Sequence, residues 1–243
     1  PSICLRVCDE TPDSLIDKGV QMNQDGQANP AFFGDTVTVP MMLQKGASLE
    51  DARDWGIVGC IEPHPGGGAS EGSPTSGYLN GLKCLELVLH NGVDPLTGKE
   101  VGLKTGDPLK FTGIEQIMDA LKAQCIHCYD NIMRGYNIVV GYHITYMPTS
   151  FSSMVMEGCI DSGKCTQEGG VKYTNTTTFF CGAASVADSL AAIDTLVFQK
   201  HKLTMAQLLD AMDKNFEGCE DIRQMLINDA PKFGNDIDYV DAF

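Results

Sequence analysis

Helical and extended runs of apolar residues alternate along the chain, with short turns between them. From Tyr78 onward, Leu79, Leu82, Leu85 and Leu89 keep the three-to-four spacing of one helix face until Asn91-Gly92. Asp94-Pro95-Leu96-Thr97-Gly98 then reads as a turn. Ile114, Ile117, Met118, Leu121 and Cys125 predict a second helix reaching towards Arg134, after which 138–146 reads as extended. Ser185 to Lys200 predicts a helix of small residues suited to close packing, and Thr204-Met205-Ala206-Gln207 opens another with a capping box, ending near Gly218. Upstream, Ser48-Leu49-Glu50-Asp51 predicts a short helix with an N-cap serine and first-turn acids, closed by Gly56. Ile57-Val58 follows as a buried strand that Pro63 prevents from continuing as a central one. The alternation favours an α/β architecture, parallel strands with helices outside, over a bundle or a sandwich. No repeat, low-complexity tract or Pro/Ser linker divides the chain.

Charge narrows the partners. A net charge of -15, with no basic stripe against it, repels phosphate backbones and anionic headgroups, so neither nucleic acid nor a membrane surface is expected. No apolar run approaches a transmembrane length and no targeting segment stands out, which predicts a soluble, cytoplasmic protein. The chain starts Pro1-Ser2-Ile3 and stops at Asp241-Ala242-Phe243, and reads as an interior piece: 243 residues suffice for one substantial core or for part of a larger one.

Ten cysteines scattered through a chain rich in Leu, Ile, Val and Met fit reduced thiols better than a disulfide framework. Cys84, Cys159, Cys181 and Cys219 read as small hydrophobes filling gaps. Cys125-Ile126-His127-Cys128 has metal-ligand spacing, but no second pair completes a four-ligand set and Cys125 already belongs to an apolar helix face, so no metal is expected. His64, His90, His143 and His201 are isolated in sequence and read as satisfied polar or surface residues.

Candidate chemistry gathers at Gly59-Cys60-Ile61-Glu62-Pro63, which predicts a thiol at a buried strand end with a carboxylate beside it. A conventional cysteine nucleophile needs a base; His64 is near, but Pro63 and Pro65 constrain it. A neighbouring carboxylate disfavours thiolate, yet it suits a thiol that gives up a hydrogen atom while the carboxyl acts separately as acid or base. A buried structural cysteine beside an ion-paired glutamate is the competing reading. The segment 63–77 has three successive glycines without a Lys-Ser or Lys-Thr ending, so it is no phosphate cradle. It is either a flexible surface loop or a sharp turn that delivers Thr75, Ser76 or Tyr78 into a cavity.

Several segments together resemble the glycyl radical enzymes of the pyruvate formate-lyase superfamily: 30–35, 48–54, the Cys60 loop, 92–95, 168–170, 187–193 and 231–236. The resemblance runs over essentially the whole chain. It implies a ten-stranded α/β barrel of two half-barrels with the cysteine loop at its centre, of which 1–243 would be an interior part. By the Cys-x-Glu match it implies Cys60 as the thiyl radical carrier and Glu62 as the proton-transfer residue. The radical would be regenerated from a glycine held in an Arg-Val-x-Gly-aromatic loop, a motif that 1–243 lacks, so the piece is expected to be inactive by itself. Further implied are a separate activating enzyme using S-adenosylmethionine and an iron–sulfur cluster, no metal on this chain, a small organic substrate, and a homodimer at full length.

Within that superfamily, pyruvate formate-lyase uses two adjacent cysteines, whereas Gly59 and Ile61 flank Cys60. The Cys-x-Glu-Pro form resembles the lyase, dehydratase and decarboxylase branch. Several diol dehydratases carry an acid in a Gly-Trp-His-Asp segment where this chain reads Gly72-Ser73-Pro74-Thr75. Loss of that acid favours an arylacetate of the 4-hydroxyphenylacetate type, decarboxylated with Thr75 and Tyr78 in the pocket. The alternatives are a diol, hydroxyproline, choline or sulfonate as substrate, the pyruvate formate-lyase reaction itself, a non-catalytic paralogue, or a thiol-metal module.

Overall fold

The structure, a computed structural model, describes residues 3–66, 75–174 and 176–243. The chain opens with strand β1 (Cys4–Val7), helix α1 (Asp13–Gln24) and strand β2 (Ala31–Gly34). Helices α2 (Asp35–Gln44) and α3 (Leu49–Arg53) lead to strands β3 (Gly56–Val58) and β4 (Glu62–His64). Strand β5 (Thr75–Asn80) precedes helices α4 (Gly81–Leu89), α5 (Ile114–Tyr146), α6 (Ser150–Ser153) and α7 (Cys159–Ser162). Strand β6 (Thr177–Cys181), then α8 (Ala183–Ile193), α9 (Met205–Asp213), α10 (Glu220–Asn228) and α11 (Asp238–Asp241), complete it. The strands pair as β1-β2, β3-β4 and β5-β6, the first pair parallel and joined through α1 in a β-α-β unit.

Two compact units divide these elements: Pro1–Ser76 with Tyr136–Thr177, and Gly77–Gly135 with Thr178–Phe243. In the first, Met42, Ala47, Ala52 and Trp55 form a small core against Phe33, Val39, Met41, Ile57 and Tyr173. In the second, α4 buries Cys84, Leu85, Val88 and Leu89 against Ile117 and Leu121 of α5 and Val186, Leu190 and Ile193 of α8. Gln124 is fully buried there and satisfied, exchanging hydrogen bonds with the Leu103 N–H (3.0 Å) and carbonyl (2.6 Å).

Several expected elements are present. Ser48 caps α3 by accepting from the Asp51 N–H, and Thr204 and Gln207 form the capping box of α9. The Asp94–Gly98 turn closes with a 2.8 Å bond from the Gly98 N–H to the Asp94 carbonyl. Others differ. Tyr78 and Leu79 lie in β5; the helix starts only at Gly81, where Asn80 accepts from the Lys83 N–H and so supplies the cap. Residues 138–146 are not extended but continue α5, whose single run reaches Tyr146. Their β-branched and aromatic content suits a strand, but no proline interrupts the turns, and propagating an existing helix costs far less than starting another element. Gly56 does not close α3: Asp54 is its C-cap, and Gly56 opens β3. The α8 run changes at Asp194 into a π-helical turn through Gln199. Cys84 and Cys159 are buried as expected and Cys219 is half-buried, whereas Cys181 is exposed, which removes it as a gap filler.

Candidate functional site

Cys60 sits at the tip of a tight hairpin. Strands β3 and β4 pair antiparallel with Gly56 opposite His64, Ile57 opposite Pro63 and Val58 opposite Glu62, leaving Gly59, Cys60 and Ile61 as the loop. Gly59 has φ +68°, and a β-carbon there would stand 2.9 Å from Glu62 Oε2, so both the left-handed backbone and the carboxylate behind it require glycine. The Glu62 side chain folds back over the loop: Oε2 accepts from the N–H groups of Cys60 (2.7 Å) and Ile61 (2.8 Å). The carboxylate thus satisfies two main-chain donors that a three-residue loop leaves unpaired, and its residue is buried while Cys60 is exposed. This corrects two expectations. The thiol is not at a buried strand end, and Ile57-Val58 is not a buried strand: Ile57 is half-buried and Val58 exposed, and among the described residues β3 pairs with β4 alone. Pro63 lies within the β4 pairing, in a two-stranded ribbon and not in a central strand, where its missing N–H can face an open edge.

Ties on three sides hold the hairpin. At its root, Arg6 of β1 forms a two-pronged pair with Asp35 (3.1 and 2.9 Å), donates to the carbonyls of Arg53 and Trp55 (both 3.0 Å), and lies 4.5 Å over the Trp55 ring. Trp55 Nε1 donates to the same Asp35 carboxylate at 2.8 Å. Hydrogen bonding from Arg6, reinforced by Trp55, holds the Asp35 carboxyl below the ordinary carboxylate range against the opposing effect of burial. Beyond β4, the Gly66 N–H donates to the Asp51 carbonyl, and Gly66 has no room for a β-carbon against the Asp54 main chain. Asp51 in turn accepts from Tyr173 (2.6 Å) and Ser48 (2.7 Å) and pairs with Lys172 (2.7 Å). Lys172 foremost, then Tyr173 and Ser48, hold its carboxyl well below the ordinary range. At the tip, the Cys4 thiol of β1 approaches the Cys60 carbonyl at 3.9 Å.

His64 points to the buried side of β4, two residues from Glu62. Burial, with help from Lys45, pushes its imidazole below the ordinary histidine range, and the Glu62 charge only partly opposes this. His90 is held elsewhere by the Glu86 carbonyl (2.8 Å) and Asp213 (2.9 Å), a structural role.

Pyruvate formate lyase-like proteins form the family whose model matches residues 1–243. This chain belongs to that family. It is 36% identical over 241 residues to the trans-4-hydroxy-L-proline dehydratase of Clostridioides difficile, covering 99% of this chain and 30% of that enzyme. It is 30% identical over 271 residues to the indoleacetate decarboxylase of Tractidigestivibacter scatoligenes, again with 99% and 30% covered. Among solved structures, the glycerol-bound B12-independent glycerol dehydratase of Clostridium butyricum overlays with a TM-score of 0.85 and 33% identity, covering all of this chain and 30% of that one. The chain therefore spans about 30% of the length of the curated relatives it matches. The resemblance to glycyl radical enzymes stands, and the mixed α/β fold is part of the pyruvate formate-lyase type of barrel.

Of the residues the sequence nominated, the hairpin brings Cys60 and Glu62 together. Thr75 and Tyr78 both lie on β5; Thr75 is half-buried, and Tyr78 is exposed and stacks on Phe179 with ring centroids 5.3 Å apart. The glycines 67–68 and the 72–74 stretch, on which the arylacetate argument leaned, lie outside the described residues. Cys125 and Cys128 lie on α5 packed against the core, and among the described residues no group of three His, Cys, Asp or Glu side chains could hold a metal ion. Nor, among them, is any helix long and apolar enough to cross a membrane. Arg6, Asp35 and Trp55 were missed as supports of the hairpin. One signal was available: Trp55 is the sole tryptophan and stands five residues before the cysteine.

Proposed function

We propose that this chain carries the cysteine half of a glycyl radical active site, with Cys60 as thiyl carrier and Glu62 as the proton-transfer residue. The observation that supports it is the Glu62 carboxylate held against the Cys60 N–H at 2.7 Å, which fixes an acid–base group beside an exposed thiol without tying up the sulfur. The favoured chemistry is removal of a hydroxyl from a small polar substrate, in keeping with dehydratase relatives that act on hydroxyproline and glycerol. The Cys60 thiyl takes a hydrogen atom from the carbon next to the C–OH bond, giving thiol and a substrate radical. Glu62 in its acid form delivers a proton to the departing hydroxyl, which leaves as water, and recovers one from the neighbouring O–H or N–H group. The product radical takes hydrogen back from the Cys60 thiol and restores the thiyl. Thr75 and Tyr78 are proposed to contact substrate.

The radical glycine is proposed to lie in a C-terminal segment of a longer protein, where an activating enzyme using S-adenosylmethionine and an iron–sulfur cluster installs it. Residues 1–243 are then an interior piece of the catalytic barrel, inactive by themselves, and the whole is a cytoplasmic homodimer. Arylacetate decarboxylation is the competing chemistry, since the indoleacetate decarboxylase is also a relative. The test is turnover of the activated full-length protein on hydroxyproline, diols, sulfonates and arylacetates. Water loss from a hydroxylated substrate is expected. Carbon dioxide from an arylacetate would replace the dehydration reading, and no radical signal in the full-length protein after treatment with the activating enzyme would leave a non-catalytic paralogue. Cys60→Ala is expected to abolish turnover while the glycyl radical signal persists, and Glu62→Gln to lower it by at least about 100-fold.

A further inference from the structure

Three of the ten cysteines meet in one place. Cys84 lies on α4 and is 2% exposed, buried in the core that this helix forms with α5 and α8. Cys125 and Cys128 stand three residues apart on α5, both half-buried and packed against the same core. The Cys84 thiol hydrogen-bonds to the Cys125 sulfur and, less strongly, to that of Cys128. A cysteine that only fills a gap acts as a small hydrophobe with an idle thiol. Here the sulfurs of two helices are in contact, and all three are free thiols. Metal binding does not explain the group, since among the described residues no three His, Cys, Asp or Glu side chains could hold an ion.

The contact gives its two main members unequal roles. The hydrogen bond to Cys125 first, and burial second, hold the proton on Cys84 and push it far above the ordinary thiol range. The same S–H, donated to Cys125, favours the Cys125 thiolate and draws that group below the ordinary range against the opposing effect of burial. Cys125 is also the member that solvent reaches, whereas Cys84 is buried. A reachable thiolate with a second thiol at hydrogen-bond distance behind it is the arrangement of an attacking and a resolving cysteine.

We propose that Cys84 and Cys125 form a peroxide-oxidisable dithiol that closes to a reversible disulfide between α4 and α5. The Cys125 sulfur attacks one oxygen of hydrogen peroxide. An S–O bond forms, the O–O bond breaks, and the departing hydroxide takes from solvent the proton that Cys125 gave up and leaves as water. The Cys84 sulfur then attacks the Cys125 sulfur of this sulfenic acid. The S–S bond forms, the S–O bond breaks, and the Cys84 proton leaves with the oxygen as a second water. Together the two sulfurs lose two electrons and the peroxide gains two; a dithiol reductant returns them. Cys128 takes no part in the first bond and stays a thiol. This inference rests neither on family membership nor on the chemistry proposed for Cys60.

The experiment treats the full-length protein, anaerobic and not activated, with hydrogen peroxide raised until the exposed Cys60 is oxidised, then alkylates the remaining thiols and maps tryptic peptides. Cys84 begins peptide 84–99, and Cys125 shares 123–134 with Cys128, so the cross-link joins those two peptides and fragmentation places it. A bond through Cys125 is expected in the folded protein, reversed by dithiothreitol and formed at least about 10-fold faster than in urea. Cys125→Ser is expected to slow cross-linking at least about 10-fold, and Cys128→Ser to leave it unchanged. Cys84→Ala is expected to stop the reaction at a Cys125 sulfenic acid that dimedone labels. No bond between 84–99 and 123–134 once Cys60 is oxidised overturns the proposal. So does a bond that forms no faster in the folded protein than in urea, or one that passes through Cys128 and is indifferent to Cys125→Ser. Should Cys84→Ala not fold, the unmutated protein and Cys125→Ser decide the matter. Turnover is not read, so the dithiol and the thiyl assignment fail independently.

Discussion

Around Cys60, order comes from a few polar ties: Arg6 to Asp35 and two carbonyls, Asp35 to the Trp55 indole, and Asp51 to Lys172, Tyr173 and Ser48. In the second unit, α4, α5, α8 and α9 meet through a broad set of buried aliphatic side chains. Dispersion and hydrophobic burial are shared among many atoms, so a large core degrades gradually when one contact is trimmed. Hydrogen-bonded charge is concentrated, and a group stripped of its partner is left with its full desolvation cost. A loop that exposes its thiol is not held by burial, which leaves directional polar ties as the means of holding it.

The sharpest way to break this contrast is to truncate one anchor in each region. Trp55→Ala removes a buried ring together with the indole that Asp35 accepts from, and is expected to cost about 4 kcal/mol; Leu190→Ala, fully buried in the second unit, about 3 kcal/mol. Denaturant unfolding of the chain measures both. The distinguishing outcome lies in Trp55→Phe, which keeps most of the packing but not the N–H and should still cost about 1–2 kcal/mol. A neutral Trp55→Phe would mean that packing alone secures the hairpin.

A smaller effect isolates the tie itself. Arg6→Ala and Asp35→Ala are each expected to destabilise by about 1–2 kcal/mol, discounted for their partial exposure, and by less than the sum when combined. Additive losses would show that the two do not act as a unit. The pair also sets an acid limb. With Asp35 held below its unfolded value of 3.8, its contribution is present above that pH and is lost as pH falls through the folded value. Asp35→Asn should flatten the profile there.

The packed parts were the legible ones. The caps of α3 and α9 and the aliphatic face of α5 are local patterns that formed where spacing and capping chemistry placed them, whereas of the four leucines read as the α4 face only Leu85 and Leu89 are buried on that helix, Leu79 lying in β5 and Leu82 being exposed. The hairpin was only half legible. Gly59, Cys60 and Glu62 are close in sequence, so their association was readable, but the direction in which Glu62 turns follows from two loop N–H groups that no residue pattern announces. Arg6 and Asp35 reach Trp55 across 49 and 20 residues of chain, and a single sequence has no signal at that range. At 138–146, local β preference pointed to a strand while an uninterrupted helix was already running.

His64 offers the finest test of the contrast, because it places a titratable group on the buried side of an otherwise tied hairpin. Burial first and Lys45 second keep its folded value below the unfolded 6.5, so the neutral ring is the one the fold accepts. Its contribution is whole above about pH 6.5 and is lost as pH falls through the folded value, since the unfolded chain then binds the proton more readily. Amide exchange at 56–64 between pH 7.5 and 5, corrected for the base-catalysed intrinsic rate that itself falls over this range, should therefore show protection that drops on acidification, and His64→Gln should remove that drop. Two neighbours move the transition in opposite directions. Lys45→Gln deletes a repelling cation and shifts it to higher pH, whereas Glu62→Gln deletes a stabilising anion and shifts it lower. Protection that increases on acidification would mean that charged His64 is the better guest, and that the hairpin is held at this point by a further charge pair instead of by burial.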